Sequence, residues 1–345
     1  MMKVLVTGDR GYIGEVMVKY LSDRGHAVTG LDTDYYAEGD FTAPCDGYPR
    51  LRKDIRDVSA DDLKGFDAVV HLAALSNDPV GDLREEWTYE INYGASAKLA
   101  QLAKQAGVRR FLYSSSCSMY GAAGDEMLTE EAPLHPLTAY AKSKVRSEEA
   151  LAQLAAEDFS PTFMRNATVY GVSPRLRVDI VLNNLVGWAV TTGKIRILSD
   201  GTPWRPIIHV EDVAQAFALV LEAPLSLVHK QAYNVGFNAQ NFCVRDIAQA
   251  VGRVARDCEI QFDGETGPDP RNYRVDFTKL ARAFPQYRPR WDVDLGARQL
   301  YDAYRQAGMS LDDFQGRKYT RLKELRYLLD TARLDGTLRW TGRAS

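Results

Sequence analysis

A chain of 345 residues with 45% hydrophobic and 26% charged side chains has an ordinary soluble composition, long enough for one large domain or two smaller ones. Its net charge of -3 offers no broad basic surface, which argues against nucleic-acid binding, although a local pair of arginines can still hold a phosphate. No apolar stretch approaches the ~20 residues that span a bilayer and the N-terminus runs directly into a strand, so no membrane or secretory role is expected and the chain reads as cytoplasmic. Cys45, Cys117, Cys243 and Cys258 show no close paired spacing, so neither a metal site nor a disulfide framework is expected.

The apolar run Val4 to Val6 leads into Gly8, Gly11 and Gly14, after which Ile13, Val16, Met17, Tyr20 and Leu21 repeat at helical spacing. This pattern predicts strand, tight turn and helix. Gly8, Arg10, Gly11, Tyr12, Ile13 and Gly14 then form a turn whose backbone can approach a pyrophosphate, with the anion at the helix N-terminus. The second strand, Ala27 to Leu31, is closed by Asp32. A carboxylate there accepts hydrogen bonds from both ribose hydroxyls and repels a 2'-phosphate, so the expected cofactor is NAD.

Farther along, the apolar runs Ala68 to Leu72, Phe111 to Tyr113 and Thr162 to Met164 alternate with helix-like segments at Tyr93 to Gln105 and Ala139 to Ala155. The alternation predicts an α/β fold, a Rossmann-type doubly wound parallel sheet with helices on both faces. Beyond about Gly171 the pattern changes. Pro174, Pro203, Pro206 and Pro224 punctuate it, and Gly264 to Pro270 is rich in glycine, proline and acidic residues. A smaller C-terminal α/β substrate-binding lobe is expected there. Ile207 to Val210, with its helix Val213 to Leu221, and Ala232 to Val235 are expected to return to the first sheet. The division is then 1–172 for the NAD-binding domain, with returning segments at about 207–236. Residues 173–206 and 237–345 form the second lobe. Thr320 to Leu338 reads as a C-terminal packing helix with Leu322, Leu325, Leu328 and Leu329 on one side.

Ser114, Ser115, Ser116, Cys117, Ser118, Met119, Tyr120 and Gly121 end a predicted strand, and Tyr140 and Lys144 follow on a helix. Four residues apart, Tyr140 and Lys144 project from one helical face. A phenol is a poor base at neutral pH, but an ammonium ~4 Å away contributes roughly 4 kcal/mol at an effective dielectric of ~20, about three pKa units. A serine hydroxyl at the strand end can hold a reacting oxygen against Tyr140. Spacing alone is not selective, because Tyr319 and Lys323 repeat it. That second pair lacks a serine-rich strand end upstream and reads as a solvated helix face.

Gly8 to Gly14, Asp32, Asp54 with Ile55, His71 to Ala74, Asn92, Ser114 to Gly121, Tyr140 and Lys144 together resemble an extended short-chain dehydrogenase/reductase of the nucleotide-sugar epimerase and dehydratase group. The resemblance implies that Asp54 and Ile55 contact adenine. It also places Leu72, Ala73, Ala74, Asn92 and Ser114 at the cofactor. Ser116, Tyr140 and Lys144 would be catalytic, with Lys144 also holding the nicotinamide ribose. In the second half, Arg165 to Gly171, Trp204 to Asp212 and Pro270-Arg271 resemble the substrate-side landmarks. Thr168 would then face the substrate, and Arg205 and Arg271 would take the nucleotide diphosphate, for which guanidinium groups offer paired, permanently charged donors. Each could instead pair with a surface acid. Pro206 departs from the acidic residue frequent after that arginine. Ser76 and Asn77, with Cys117 and Ser118, would face the sugar; Ser76 to Asp78 also reads as a plain polar turn. Paired helices in the group imply a homodimer.

The residues after Ser116 bear on the reaction. Sugar 4,6-dehydratases of this group carry an acidic pair where Cys117 and Ser118 stand, so dehydration is disfavoured, as is decarboxylation. A 3,5-epimerase would need another acid/base pair; Cys117 lies one position early and reads as a small buried residue. What remains is a 4-epimerase with retained NAD, which the reading favours, or a 4-ketoreductase or dehydrogenase with exchangeable NAD(H). A sensor that binds NAD(H) without chemistry conflicts with an intact Ser116, Tyr140 and Lys144.

Overall fold

The computed structural model describes residues 1–76, 84–262, 264 and 271–342. Seven parallel strands form the central sheet, in the order Ala232–Val235, Ser160–Asn166, Arg110–Ser116, Ala68–His71, Lys3–Thr7, Ala27–Asp32 and Arg50–Arg52. Side chains of a strand leave alternate faces. Val4 and Val6 therefore enter one apolar core and Leu5 the other, and all three are fully buried. Two covered faces explain why the apolar run is continuous instead of alternating with polar residues. Helices Tyr12–Asp23 and Val210–Glu222 cover the first face with Met17, Val18, Leu21, Phe217 and Leu221. The second face packs Leu99 and Ala103 from Ser96–Gln105, and Leu151 from Ala139–Gln153, against Val69 and Phe111.

The chain winds outward from Lys3–Thr7 in one direction, then returns to its other side with Ala68–His71. In such sheets the crevice lies where the order reverses, at the carboxyl ends of the strands. Thr7 and His71 stand side by side there. Thr7 Oγ1 and His71 Nδ1 are 2.6 Å apart, and His71 Nε2 lies 2.7 Å from Ser96 Oγ. Burial, reinforced by the nearby Lys144 charge, pushes His71 down to about 3. Its imidazole is therefore neutral near pH 7 and serves as a fixed bridge from the first strand to helix Ser96–Gln105.

Three elements differ from the sequence expectation. The strand Trp204–His209 does not rejoin the central sheet; it pairs with Thr168–Tyr170 and Asn241–Cys243 in a separate three-stranded sheet. The cause is a break after Asn166: the chain resumes as Thr168–Tyr170 outside the main sheet, and Trp204–His209 follows it. Ala232–Val235 does return as expected, beside Ser160–Asn166. The helix expected from Tyr93 starts earlier, at Glu85–Thr88, and passes through a π-helical stretch at Tyr89–Ala95. The C-terminal helix is Arg321–Asp330 only, because Ala332 adopts a positive φ of 55°; Leu338, farther on, has a φ of 59°. Leu334 and Leu338 are buried from a non-helical tail.

The second lobe has its own core, which includes Leu182, Val186, Ile195, Ile247, Val251 and Leu300. A parallel pair, Lys194–Ile197 with Glu259–Phe262, edges it, and Ala122–Leu128 pairs with Asn272–Val275. The expected loop at Gly264 to Pro270 lies, apart from Gly264, outside the described residues.

Behind the central sheet, Arg165 and Glu148 form an ion pair at 2.7 Å with both side chains less than a tenth exposed. Removing one member of such a pair strands the other charge. Arg165→Met is expected to lower unfolding free energy by about 3–5 kcal/mol, and adding Glu148→Leu should recover much of that loss. Chemical denaturation measures both; an unchanged midpoint for the single variant would contradict the packing described.

Candidate functional site

The strand ends open on a cleft of about 720 Å³. Gly8, at φ +75°, sits so close to the next strand end that a Cβ would fall 2.7 Å from Ala73 N. At Gly14 a Cβ would meet Gly8 O at 1.9 Å. Both positions require glycine: a side chain at Gly8 would push the turn off the next strand end, and one at Gly14 would push the helix off the turn. Gly11 ends the turn without a side-chain cap on helix Tyr12–Asp23. The helix's first amides are left for a ligand, which suits an anion. Gly8, Gly11, Tyr12, Ile13 and Gly14 all line the cleft.

Asp32 lines the same wall, accepting from Asp34 N at 2.9 Å and Arg10 N at 3.3 Å. Burial, then the charge of Asp9, pushes its carboxyl up to about 6, against the pull of Asp34 N–H and Arg50. Asp54 and Ile55 continue the wall, with Leu72, Ala73 and Ala74 opposite the glycine turn. Two predicted cofactor residues stand back from the lining. The Arg10 guanidinium turns to Glu15 at 2.8 Å. Asn92 is fully buried; its Oδ1 accepts from Leu75 N at 2.7 Å and its Nδ2 donates to Leu75 O at 3.1 Å. Asn92 thus pins the loop that follows Ala74.

Tyr140 and Lys144 reach the cleft from one face of helix Ala139–Gln153, whose N-cap Thr138 accepts from Ala141 N at 3.2 Å. Lys144 is only 3% exposed. Its Nζ donates to Ser114 O at 2.6 Å and lies 4.7 Å from the centre of the Tyr113 ring and 5.6 Å from that of Tyr140. Burial lowers its pKa to about 7, against the opposing charge of Glu148. Ser116 ends the strand Arg110–Ser116, accepts from Ser118 N at 3.2 Å and donates to Ser118 Oγ at 3.0 Å. Ser114 and Ser118 also line the cleft. Cys117 does not: it is fully buried, its thiol lies 3.1 Å from Arg165 O, and burial pushes its pKa far up. It is a packed thiol, not a group at the sugar.

Ser76, Thr168, Arg205 and Arg271 line the cleft too. The Arg205 guanidinium donates to the backbone carbonyl of Arg271, which brings together two residues far apart in sequence. Asn77 lies outside the described residues. The sequence reading missed Arg177, Asp179 and Arg321 on the cleft wall. Arg177 grips Asp179 through two bonds of 3.0 and 2.9 Å and donates to Ser76 O at 3.2 Å. The basic and acidic residues just past Gly171 were the available signal. Arg321 offered none, since its place depends on how the C-terminal segment folds back.

The chemistry of this wall fits NAD: an uncapped glycine-bounded helix end for the pyrophosphate, and a carboxylate at the end of the second strand for a ribose. Asp32 carries an energetic signature. It is protonated in folded and unfolded chains below pH ~4, whereas above its folded value of about 6 the folded chain carries a buried charge. In the cofactor-free protein, Asp32→Asn should therefore raise the melting temperature near neutral pH, with the gain fading as pH falls through 6 toward 4. It should also weaken NAD binding. Calorimetry against pH tests this, and a gain that grows toward acid would refute it.

A UDP-glucose 4-epimerase of Corynebacterium glutamicum is 29% identical over 270 residues, which cover 73% of this chain and 80% of that protein. Among solved structures, MoeE5 in complex with UDP-glucuronic acid and NAD superimposes with a TM-score of 0.77 and 26% identity, over 88% of this chain and 99% of that one. The UDP-glucose 4-epimerase of Thermus thermophilus, in complex with NAD, gives 0.74 and 26% over the same shares. The sequence profile of one family matches residues 4–236. With that match over more than half its length, the chain belongs to the NAD dependent epimerase/dehydratase family.

Proposed function

We propose that this enzyme is a nucleotide-sugar 4-epimerase with retained NAD, acting on a UDP-hexose. One observation carries the reading: Tyr140, Lys144 and Ser116 meet in the cleft, while the position after Ser116 is a buried thiol and the next a serine. No carboxylic acid follows Ser116, which argues against dehydration, and the sequestered Cys117 argues against its use as a 3,5-epimerase acid/base. The substrate class comes from relatives that are UDP-glucose 4-epimerases.

In this reading Tyr140 removes the proton of the sugar 4-hydroxyl. Lys144, close to its ring, favours the phenolate when charged. The Ser116 hydroxyl, held by the Ser118 backbone, orients the reacting oxygen. NAD, when bound, supplies the site that takes the hydrogen of the sugar carbon and gives it back. Arg205 and Arg271 hold the diphosphate while the 4-keto sugar turns over, so its other face is presented when Tyr140 returns the proton. Residues 1–172 with about 207–236 serve NAD, joined by the C-terminal segment from Arg321, which the sequence division put in the second lobe but whose Leu325, Leu328, Leu334 and Leu338 pack in the same core as Leu5 and Val69; the remainder serves the sugar nucleotide. Helices Ser96–Gln105 and Ala139–Gln153 are the proposed homodimer surface, and the proposed location is the cytoplasm; among the described residues no helix is long and apolar enough to cross a membrane.

Incubation with UDP-glucose, followed by proton NMR, should show UDP-galactose without release of NADH. Tyr140→Phe should lose about 10²–10⁴-fold in kcat, the usual contribution of a positioned acid/base, while retaining NAD. Full turnover by that variant would remove Tyr140 from the chemistry.

A further inference from the structure

The C-terminal tail is docked by its backbone on the wall assigned above to the adenosine half of NAD. Three successive carbonyls are gripped. Gly336 O accepts from Trp87 Nε1 at 3.0 Å and Arg84 Nη1 at 3.1 Å; Thr337 O accepts from Arg56 Nη1 at 2.7 Å. Leu338 O accepts from Arg56 Nη2 at 3.1 Å and from the Tyr35 hydroxyl. Leu338 itself is fully buried at φ 59°, a left-handed conformation that an L-residue keeps only where its surroundings hold it. Beyond it, Trp340 Nε1 donates to Thr33 O at 2.8 Å, and its ring lies 6.0 Å from that of Tyr35.

Arg56 links this tail to the cleft. The same guanidinium that donates to Thr337 and Leu338 also donates to both carboxylate oxygens of Asp54, at 3.0 Å from Nε to Oδ1 and 2.6 Å from Nη2 to Oδ2. Its side chain is 5% exposed. Burial opposes the charge, but Asp54 outweighs it and the guanidinium pKa is pushed up. Thr33, Tyr35 and Asp54 all line the cleft. The tail therefore touches two of them directly and fixes the third through one arginine. Arg321, on the helix that leads into the tail, lines the same cleft and packs on Tyr36 at 4.2 Å.

We propose that residues 331–341 form a strap that sets the adenosine wall of the NAD site, with Arg56 as the positioning residue that couples strap to wall. This rests on the reading that adenosine lies between Asp32 and Asp54. The strap makes retention of NAD depend on the C-terminal tail: loosening it frees Asp54, Tyr35 and Thr33 together, and NAD leaves faster without any change at Tyr140 or Lys144.

The test compares wild type with Arg56→Met and with Trp340→Phe, which keeps an aromatic ring but loses the indole N–H. Affinities for NAD, ADP-ribose and nicotinamide mononucleotide are measured by titration, and tail amides are followed by hydrogen exchange. Arg56→Met should speed exchange at residues 334–341 and weaken NAD and ADP-ribose by about tenfold, as expected for lost charge-assisted hydrogen bonds, with mononucleotide binding unchanged. Trp340→Phe should shift the same quantities in the same direction by a smaller factor, and it serves where Arg56→Met does not fold. If NAD and ADP-ribose bind both variants as tightly as wild type, the strap is overturned. Asp32→Asn in the same titrations separates the causes. If it weakens NAD while the other two do not, only the strap fails; if it too is silent, adenosine lies elsewhere and the site assignment fails with it.

Discussion

A lysine ammonium buried against aromatic rings is the constraint on which the proposed catalytic end of this fold depends. Lys144 is almost without solvent contact, and its hydrogen bond to Ser114 O ties helix Ala139–Gln153 to the strand that carries Ser116. A charge so placed is costly unless its donors are matched. The surrounding packing follows from that demand: Tyr113 and Tyr140 present ring faces, and Glu148 one turn along supplies opposing charge. The position of the helix is further fixed by Ser147, whose hydroxyl donates to Asn92 O, and by Asn92, which holds the loop after Ala74. One network thus sets the distance from Tyr140 to both the strand end and the cofactor wall.

The cofactor end is organised differently. Close backbone approach does the work at Gly8 and Gly14, where no side chain fits, and ionic pairing does it at the edge. Arg50 bonds Asp9 at 2.7 Å and Asp34 at 2.7 Å, flanking Asp32 with compensated charge. Asp32 lines the cleft and accepts from two backbone amides but has little cationic help, so its buried charge is expensive until further donors arrive. A ribose diol meets that need, which connects the electrostatics of the bare wall to the choice of NAD.

Much of this was legible in the residues. Val4 to Val6, the three glycines and Asp32 have a pattern that few folds other than a dinucleotide-binding sheet satisfy, and Tyr140 with Lys144 became specific once the serine-rich strand end preceded them. What escaped has physical reasons. Ile207 to Val210 reads as a buried strand, but an apolar run does not encode which sheet it joins, and the break after Asn166 decides that. The π-helical stretch at Tyr89–Ala95 keeps nearly helical spacing, so periodicity does not reveal it. Leu334 and Leu338 continue a helix-like leucine pattern, yet positive φ at Ala332 ends the helix and both residues are buried from the tail instead. Arg10 and Cys117 sit within the motifs, but Glu15 and the backbone at Arg165 capture their side chains. Arg177 showed only as one of the charged residues past Gly171, and Arg321 carries no local signature, because only the folded chain brings them to Ser76 and Tyr36.

The central claim is that one hydrogen leaves carbon 4 of the sugar and returns to the same carbon without leaving the site. UDP-glucose deuterated at carbon 4, converted in the presence of excess unlabelled NADH, tests it directly. Retention of deuterium at carbon 4 of the UDP-galactose formed is the predicted result. Loss of the label from the product, with deuterium appearing in the free nicotinamide pool, would contradict it and identify an oxidoreductase that exchanges its cofactor.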